Sequence, residues 1–408
     1  MESSPPPRYA FAVPLSGIPG DQITEAHLQA LIDDRVREGR RIDYKARVGS
    51  NDEAKRDFLE DVSSFANAAG GDLLVGMTAS AGIPTGKPGL PSKLVDGEML
   101  KMDSTIRDGI APRIPGFAIW PVSVSNGAAC VLVVRVPRSW AAPHMVTYKG
   151  LSRFCGRGAA GKFRLDIDSI RAGFVAAEAI RTELRSFRRD RVARLAANDG
   201  QASLPEAAPK TVLHVIPLTA ADPTAQYDVV RLVTDLATSA DFRSLYAGTA
   251  PSSRRINFDG ALVTSSIDGQ PFSYTQVFRT GAIEGVDALI LDSGGIGTDG
   301  AIQSQGFEQA LIEAFSNYLR ILDQLGVSTP LVLGLSLLGV RGLRMSRGER
   351  SISTTLIDRD DLMVPEILIE ELADPSRLLR PAFDAIWNAS GEPGSPHYTP
   401  TGEWAPKT

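Results

Sequence analysis

Glu38, Asp43 and Lys45 sit together in one charged stretch, REGRRIDYKARVGS (37–50), and residues of these types suit chemistry on a phosphate. Two carboxylates can hold a divalent cation such as Mg²⁺ or Mn²⁺ while an ammonium neutralises charge on a phosphate oxygen. Alternation through the stretch sends Arg41, Asp43, Lys45 and Arg47 to one face and Ile42, Tyr44, Ala46 and Val48 to the other, the period of a half-buried strand. The apolar face reads as core. The charged face is the candidate catalytic site, with Glu38 and Asp43 as metal ligands and Lys45 beside them. The competing reading of the same three residues is a surface ion-pair ladder of little energetic weight.

A second cluster lies further on, in YKGLSRFCGRGAAGKFRLD (148–166). Lys149, Arg153, Arg157, Lys162 and Arg164 alternate there with Phe154, Phe163 and four glycines, so guanidinium groups and backbone amides can approach phosphate oxygens closely. With Arg41, Lys45 and Arg47 they make up the expected nucleic-acid-binding set. The two phenylalanines are either stacking partners for unpaired bases or core anchors of short strands. Contact through such a set falls mainly on the phosphate backbone, with weak sequence preference and strong dependence on salt.

Both clusters need a scaffold. Residues 1–20 are proline-rich and read as a flexible arm. A helix over DQITEAHLQALIDDRVREG, the charged strand, and a helix over NDEAKRDFLEDVSSFANAAGG that closes on Gly70 and Gly71 follow. A buried strand, DLLVGM, comes next, then a helix near 97–109 and strands near 116–123 and 129–136. Residues 21–165 are therefore expected to form a domain of α/β to α+β class, a mixed sheet with helices. Residues 166–196 read as a basic connecting helix with six arginines between Arg181 and Arg194, either a strut on phosphate or a solvated face partnered by Glu183 and Asp190. A linker at 197–210 leads into a second α+β domain at 211–390, with strands around VLHVIPL, GALVTSS, DALIL and TPLVLGLSLLG and helices around 306–324 and 363–388. The turn-rich end, 391–408, reads as a loosely held tail.

The bulk numbers set limits on function. A chain of 408 residues, 43% hydrophobic and 22% charged, has enough apolar material for two cores. Its net charge of −5 conceals a split: residues 1–195 carry 28 Lys and Arg against 22 Asp and Glu, giving +6, and the remainder carries 15 against 26, giving −11. A surface for a polyanion is thus expected in the N-terminal half. Two cysteines, Cys130 and Cys155, are too few for a disulfide framework, which fits the cytoplasm. Neither a secretory leader nor an apolar run of about 18 residues is evident, so no membrane partner is expected. The four histidines are scattered, and His144 is read as structural. GIGTDG (295–300) reads as a tight glycine turn, and GIPTGKPG lacks the Ser or Thr that a phosphate loop places after its lysine.

Glu38-x4-Asp43-Tyr44-Lys45 followed by FANAAGGDLLVGM resembles the Schlafen-type AlbA-like putative DNA-binding domain, whose usual form is an acid, four residues, E-F-K, a helix and FAN-x-x-GG-x-L-x-x-G. Phe65, Ala66, Asn67, Gly70, Gly71, Leu73 and Gly76 match as they stand. SRFCGRGAAGKFRLD is similar to the family's RFY-x-R-x-G, with Arg153, Phe154 and Arg157 in place and Cys155 where an aromatic is usual, and APHMV around His144 is similar to a segment of bacterial members. The resemblance spans about residues 20–175. It implies nucleic-acid binding and, in some relatives, a ribonuclease site of three acids. The first two positions fall on Glu38 and Asp43, an Asp in place of the usual Glu. The third falls in MTASAGIPTG, which holds no acid, and Asp57, Asp61 and Asp72 lie elsewhere.

The expected function is therefore binding of nucleic acid, DNA or RNA, directed to the backbone. The alternative is a metal-dependent endonuclease acting through Glu38 and Asp43, and the second alternative is a protein-interaction scaffold. Self-association into a homo-oligomer is compatible with each.

Overall fold

Why the charged side of the strand at Ile42 can exist at all is decided by its place in the sheet. The structure is a computed structural model that describes residues 15, 18, 20–139, 141–221, 225–235, 240–291, 301–327, 329–348, 351–352 and 355–406. GIGTDG at 295–300 and nearly all of the proline-rich arm lie outside the described residues. The chain forms two units, one ending at Ala179 and one starting at Ile180, and its class is α+β.

In chain order the first unit holds α1 (Glu25–Asp33), β1 (Ile42–Lys45), α2 (Asp52–Ala66), β2 (Gly71–Val75), β3 (Thr78–Ser80), β4 (Ile83–Gly86), β5 (Leu90–Pro91), α3 (Val95–Gly109), β6 (Ile110–Ala111), β7 (Ala118–Val124), β8 (Ala129–Val136), β9 (Met145–Val146), β10 (Arg153–Gly158) and β11 (Gly161–Arg164). One sheet runs β1-β2-β8-β5, with β7 also paired to β8, and a second runs β11-β10-β9-β6. The β1 and β2 strands are parallel, with Asp43 opposite Leu73 and Lys45 opposite Val75.

Alternation assigns the two faces of the first sheet. Leu73, Val75, Leu132 and Val134 pack under Phe58, Leu59, Val62 and Phe65 of α2. Leu74, Val131 and Val133 pack on the other side with Leu28 and Leu31 of α1, joined by Ile42 and Tyr44. Each such side chain, fully buried, stabilises the fold by roughly 1.5–3 kcal/mol. Asp43 and Lys45, alternating with Ile42 and Tyr44, must then point to the α2 side. Because β1 is the edge strand, they emerge beside α2 and meet its acidic flank instead of its apolar stripe.

Local chemistry sets the ends of α2. The Asn51 side chain accepts from Ala54 N at 2.8 Å as N-cap, and Gly70, at φ +70°, donates to the Phe65 carbonyl. A Cβ on Gly71 would lie 2.5 Å from the Phe65 ring and from the Arg41 carbonyl, so only glycine lets β2 start there. The first helix is shorter than the sequence suggests: it ends at Asp33 because Arg35 takes φ +52° and Val36 turns back to bond Leu31. Glu38 consequently sits in a loop.

Helix α4 (Ile167–Ala196) contributes residues 180–196 to the second unit, followed by β12 (Lys210–Pro217), α5 (Arg231–Thr234), β13 (Ser252–Ile256), β14 (Gly260–Ile267), β15 (Gln270–Phe278), β16 (Ile283–Asp287), β17 (Ala301–Ile302), α6 (Ser304–Gln324), β18 (Leu331–Leu338), β19 (Arg344–Gly348), β20 (Ser351–Ile352), β21 (Leu362–Met363), β22 (Ile367–Ile369) and α7 (Pro375–Ala389). The main sheet runs β13-β14-β15-β16-β12-β18-β21, with β22 also on β18. Phe307, Leu311, Phe315 and Tyr318 of α6 and Phe383 and Trp387 of α7 cover one face. Leu184, Val192 and Leu195 of α4 cover the other.

Several sequence expectations change here. The arginines of α4 are neither a phosphate strut nor a solvated face throughout. Arg188 donates to the Leu335 and Val364 carbonyls at 2.9 Å, and Arg191 forms a two-pronged pair with Glu284, because 184, 188, 191 and 195 share the helix face turned to the sheet. Residues 363–388 are not one helix: Ile367–Ile369 pairs with β18, and the helix waits for Asp374 to cap it and Pro375 to start it. Of DALIL only Asp287 lies in the strand, which ends there. The tail is held as well. Glu308 accepts from Trp387 Nε1, Ser395 Oγ and Trp404 Nε1, and Tyr398 donates to the Ser376 carbonyl.

Candidate nucleic-acid interface

The charged face of β1 meets three other segments. Asp43 accepts from Arg157 Nη2 through Oδ2. Arg157 also donates Nε–H to the Gly39 carbonyl at 2.8 Å, lies 3.6 Å from Asp61 and stacks over the Phe65 ring at 4.1 Å, with its side chain only 1% exposed. Lys45 bonds Asp57 at 2.6 Å and Asp61 at 2.8 Å, and Lys162, across on β11, bonds the same two acids. Asp57 and Asp61, one turn apart on α2, thus tie β1 to the β10–β11 hairpin. The loop holding Glu38 is fixed by its own backbone, since Glu38 N donates to the Gly82 carbonyl of the β3–β4 turn at 2.7 Å.

The electrostatics follow from burial and neighbours. Burial first, then the charge of neighbouring Asp43, raises the Glu38 carboxyl above its ordinary value. Burial likewise raises Asp61, against the pull of Lys45 and Lys162. Burial opposes the Lys45 ammonium, yet Asp61 and Asp57 outweigh it and hold the proton on. Asp57 is lowered, because its hydrogen bonds from Lys162 and Lys45 overcome desolvation.

Of the eight cations expected to face nucleic acid, five are engaged within the protein. Besides Lys45, Arg157 and Lys162, Lys149 pairs with Asp52 at 2.8 Å and Arg153 with Glu60. A basic ridge over 149–164 is therefore corrected to a set of internal pairs: α2 lays Asp52, Asp57, Glu60 and Asp61 opposite the hairpin, and each cation reaches the nearest carboxylate. Arg157 in particular is buried and not presented to solvent. Arg41, Arg47 and Arg164 are exposed, and no hydrogen bond or ion pair engages their side chains among the described residues. Arg37 and Arg40, in the loop beside Glu38, are exposed and unengaged in the same way. The sequence set omitted these two, although the run R-x-x-R-R ahead of the strand was their signal. Phe163 is 51% exposed and Phe154 is partly covered.

The donor set does not fit a divalent metal. Asp43 is committed to Arg157, Asp61 to two lysines, and among the described residues no three acids, histidines or cysteines gather in a metal-binding arrangement. In the segment where the resemblance puts the third acid, MTASAGIPTG, Thr78 bonds Thr85 and the Gly86 carbonyl. The FAN motif does structural work: Asn67 donates to the His144 and Cys155 carbonyls, each at 2.9 Å, and accepts from His144 N. His144 is buried, its Nδ1 on the Pro112 carbonyl, and desolvation lowers its pKa.

Residues 38–164 match the family model described as Schlafen, AlbA_2, a span that opens on Glu38 and closes on Arg164. Among solved structures the chain is similar to the DIP2311 protein from Corynebacterium diphtheriae, at 20% identity over 35% of this chain and 26% of that one, with a TM-score of 0.24. The chain thus spans about a quarter of that protein's length. No curated protein matches.

Proposed function

We propose that this chain, which carries a Schlafen AlbA_2 domain over residues 38–164, binds nucleic acid through the rim of that domain and contacts chiefly the phosphate backbone. The observation that carries the reading is the set of five exposed, unengaged guanidinium groups, Arg37, Arg40, Arg41, Arg47 and Arg164, around acids already neutralised from within. Asp43, Asp57 and Asp61 each have a cation against them, and burial beside Asp43 favours the protonated form of Glu38. A polyanion approaching this rim meets net positive charge, and Arg offers two-pronged contact with phosphate. Arg153, Arg157, Lys149, Lys162 and Lys45 then act by shaping the rim rather than by touching the ligand.

Cleavage through Glu38 and Asp43 is the second reading, favoured by the one observation that burial and the neighbouring Asp43 charge raise the Glu38 carboxyl above its ordinary value. One experiment separates the two. Fluorescence anisotropy with labelled single-stranded and duplex DNA and RNA at low salt is expected to show binding that Arg41→Ala and Arg164→Ala each weaken, with the oligonucleotide recovered intact on a gel after incubation with Mg²⁺ or Mn²⁺. Products that vanish with Glu38→Gln would establish the second reading, and no binding at low salt to any of these probes would sink both.

A further inference from the structure

Strand β13 is one edge of the main sheet of the second unit, and all five of its residues are exposed. Only the side towards β14 is paired. Asn257 N donates to the Gly260 carbonyl and Ser266 N to the Pro251 carbonyl, so Ser253 and Arg255, in phase with these ends, turn their backbone groups to β14, and Ser252, Arg254 and Ile256 turn theirs outward. Among the described residues nothing bonds those three outward N–H and C=O groups. The side chains along this edge run against the charge of their half of the chain. Residues 196–408 carry −11, yet among the described residues no carboxylate pairs with Arg254, Arg255 or Arg279. Arg254 Nε donates to the Phe242 carbonyl, Arg279 Nε to the Phe258 carbonyl, and Arg255 reaches the Gln201 carbonyl at 3.5 Å. Asp259, in the β13–β14 turn, accepts from Gln201. Ile256 is 43% exposed, and Phe258, in the same turn, 95%.

We propose that β13 takes up an extended acidic peptide of another protein as an added antiparallel strand, with an apolar residue and two consecutive acids opposite Ile256, Arg255 and Arg254. The backbone selects a peptide. Donors and acceptors alternating along a strand edge are matched by a second polypeptide strand, whereas a phosphate backbone supplies acceptors alone. The side chains select its sequence. Antiparallel addition continues the direction in which β13, β14 and β15 already alternate, and it reads the partner, from its N-terminus, as apolar, acid, acid and then two small residues against Ser253 and Ser252. The same arginines exclude a second copy of the chain, because two β13 strands paired antiparallel over their whole length would set Arg254 on Arg254, like charges directly opposite. The proposal is independent of the nucleic-acid reading.

Fluorescence anisotropy of the full chain with a labelled, capped peptide, Gly-Thr-Val-Glu-Glu-Thr-Thr-Gly, tests it. Binding is expected, and N-methylation of the second Glu should weaken it about tenfold or more, because that amide donates to the Arg254 carbonyl while the charge stays the same. Arg254→Glu/Arg255→Glu should weaken the parent peptide by about tenfold or more, since two attractive pairs become repulsive. A peptide with Lys-Lys in place of Glu-Glu then binds that variant, which a folding defect would not allow. The proposal is overturned by a parent chain that does not bind the peptide, by an N-methylated peptide that binds as tightly, by a double variant that binds the parent peptide unchanged, or by one that the Lys-Lys peptide does not rescue. A dimer of the chain alone in sedimentation velocity that the double variant dissolves gives the edge to a second copy and overturns it as well. So does single-stranded DNA whose affinity falls with the double variant as far as the peptide's, since the edge then reads charge alone.

Discussion

Replacing Arg157 by methionine asks whether that residue belongs to the ligand or to the fold. Its side chain is 1% exposed, against Asp43 at 14% and Asp61 at 3%, and it bonds the Gly39 carbonyl and stacks on Phe65. Removing one partner of a buried ion pair, while the carboxylates remain, costs about 3–5 kcal/mol. Loss of the ring stack adds about 1 kcal/mol, and the methionine, by filling much of the vacated volume, limits the cavity term. A net loss near 4 kcal/mol is a large part of a single domain's stability of about 5–15 kcal/mol. For a unit of this size it should lower the melting temperature by about 8–16 °C, at roughly 2–4 °C per kcal/mol. Differential scanning calorimetry reads that directly. Arg157→Met/Asp43→Asn should recover part of the loss, because it removes one stranded carboxylate. If Arg157→Met melts within about 2 °C of the parent, where a buried pair cannot leave it, yet binds nucleic acid far more weakly, the burial argument is refuted and Arg157 touches the ligand.

Two further outcomes follow from the second unit. Burial raises Asp287 to about 6; a folded-state value above the unfolded one means that its contribution is complete below about pH 4 and is lost as pH rises through 6, about 3 kcal/mol in all. Asp287→Asn keeps the Oδ1 bonds from Leu289 N and Ile290 N and should flatten the decline in urea midpoint between pH 4 and 7, whereas an unchanged slope would count against it. Glu308→Ala strands the indole N–H groups of Trp387 and Trp404 and the Ser395 hydroxyl, so it should cost about 2–4 kcal/mol and open residues 391–406 to limited proteolysis; a tail as resistant as the parent's would show that Glu308 does not hold it.

Period-two alternation was enough to place Ile42 and Tyr44 in the core and Asp43 and Lys45 out of it. What alternation could not tell is that β1 lies at a sheet edge, because that depends on pairing with β2, which is reached only across α2. The i, i+4 spacing of Asp57 and Asp61 was legible, but their partners are distant in sequence, one on β1 and one on β11. A count of cations therefore overstated the basic surface. In α4 the signal was present: Arg188 and Arg191 fall on the stripe of Leu184 and Leu195, and a stripe that mixes the two kinds of residue buries its arginines against acceptors. In the tail, Tyr398 and Trp404 among the prolines and glycines were the sign of anchoring. The segment at 363–374 misled because its apolar residues fit either period, and a capping Asp374 followed by Pro375 marks the true helix start.

Salt dependence of binding tests the rim most directly. Each arginine that displaces a counterion adds about 0.7 to the slope of log affinity against log salt on a single strand and about 0.9 on a duplex. The Arg41→Ala/Arg47→Ala/Arg164→Ala variant should lower that slope by about 2 on single-stranded probes, while Lys149→Ala/Arg153→Ala, whose cations are already paired, should leave it nearly unchanged. The reverse pattern, a slope insensitive to the three exposed arginines and reduced by loss of the two paired residues, would contradict the account.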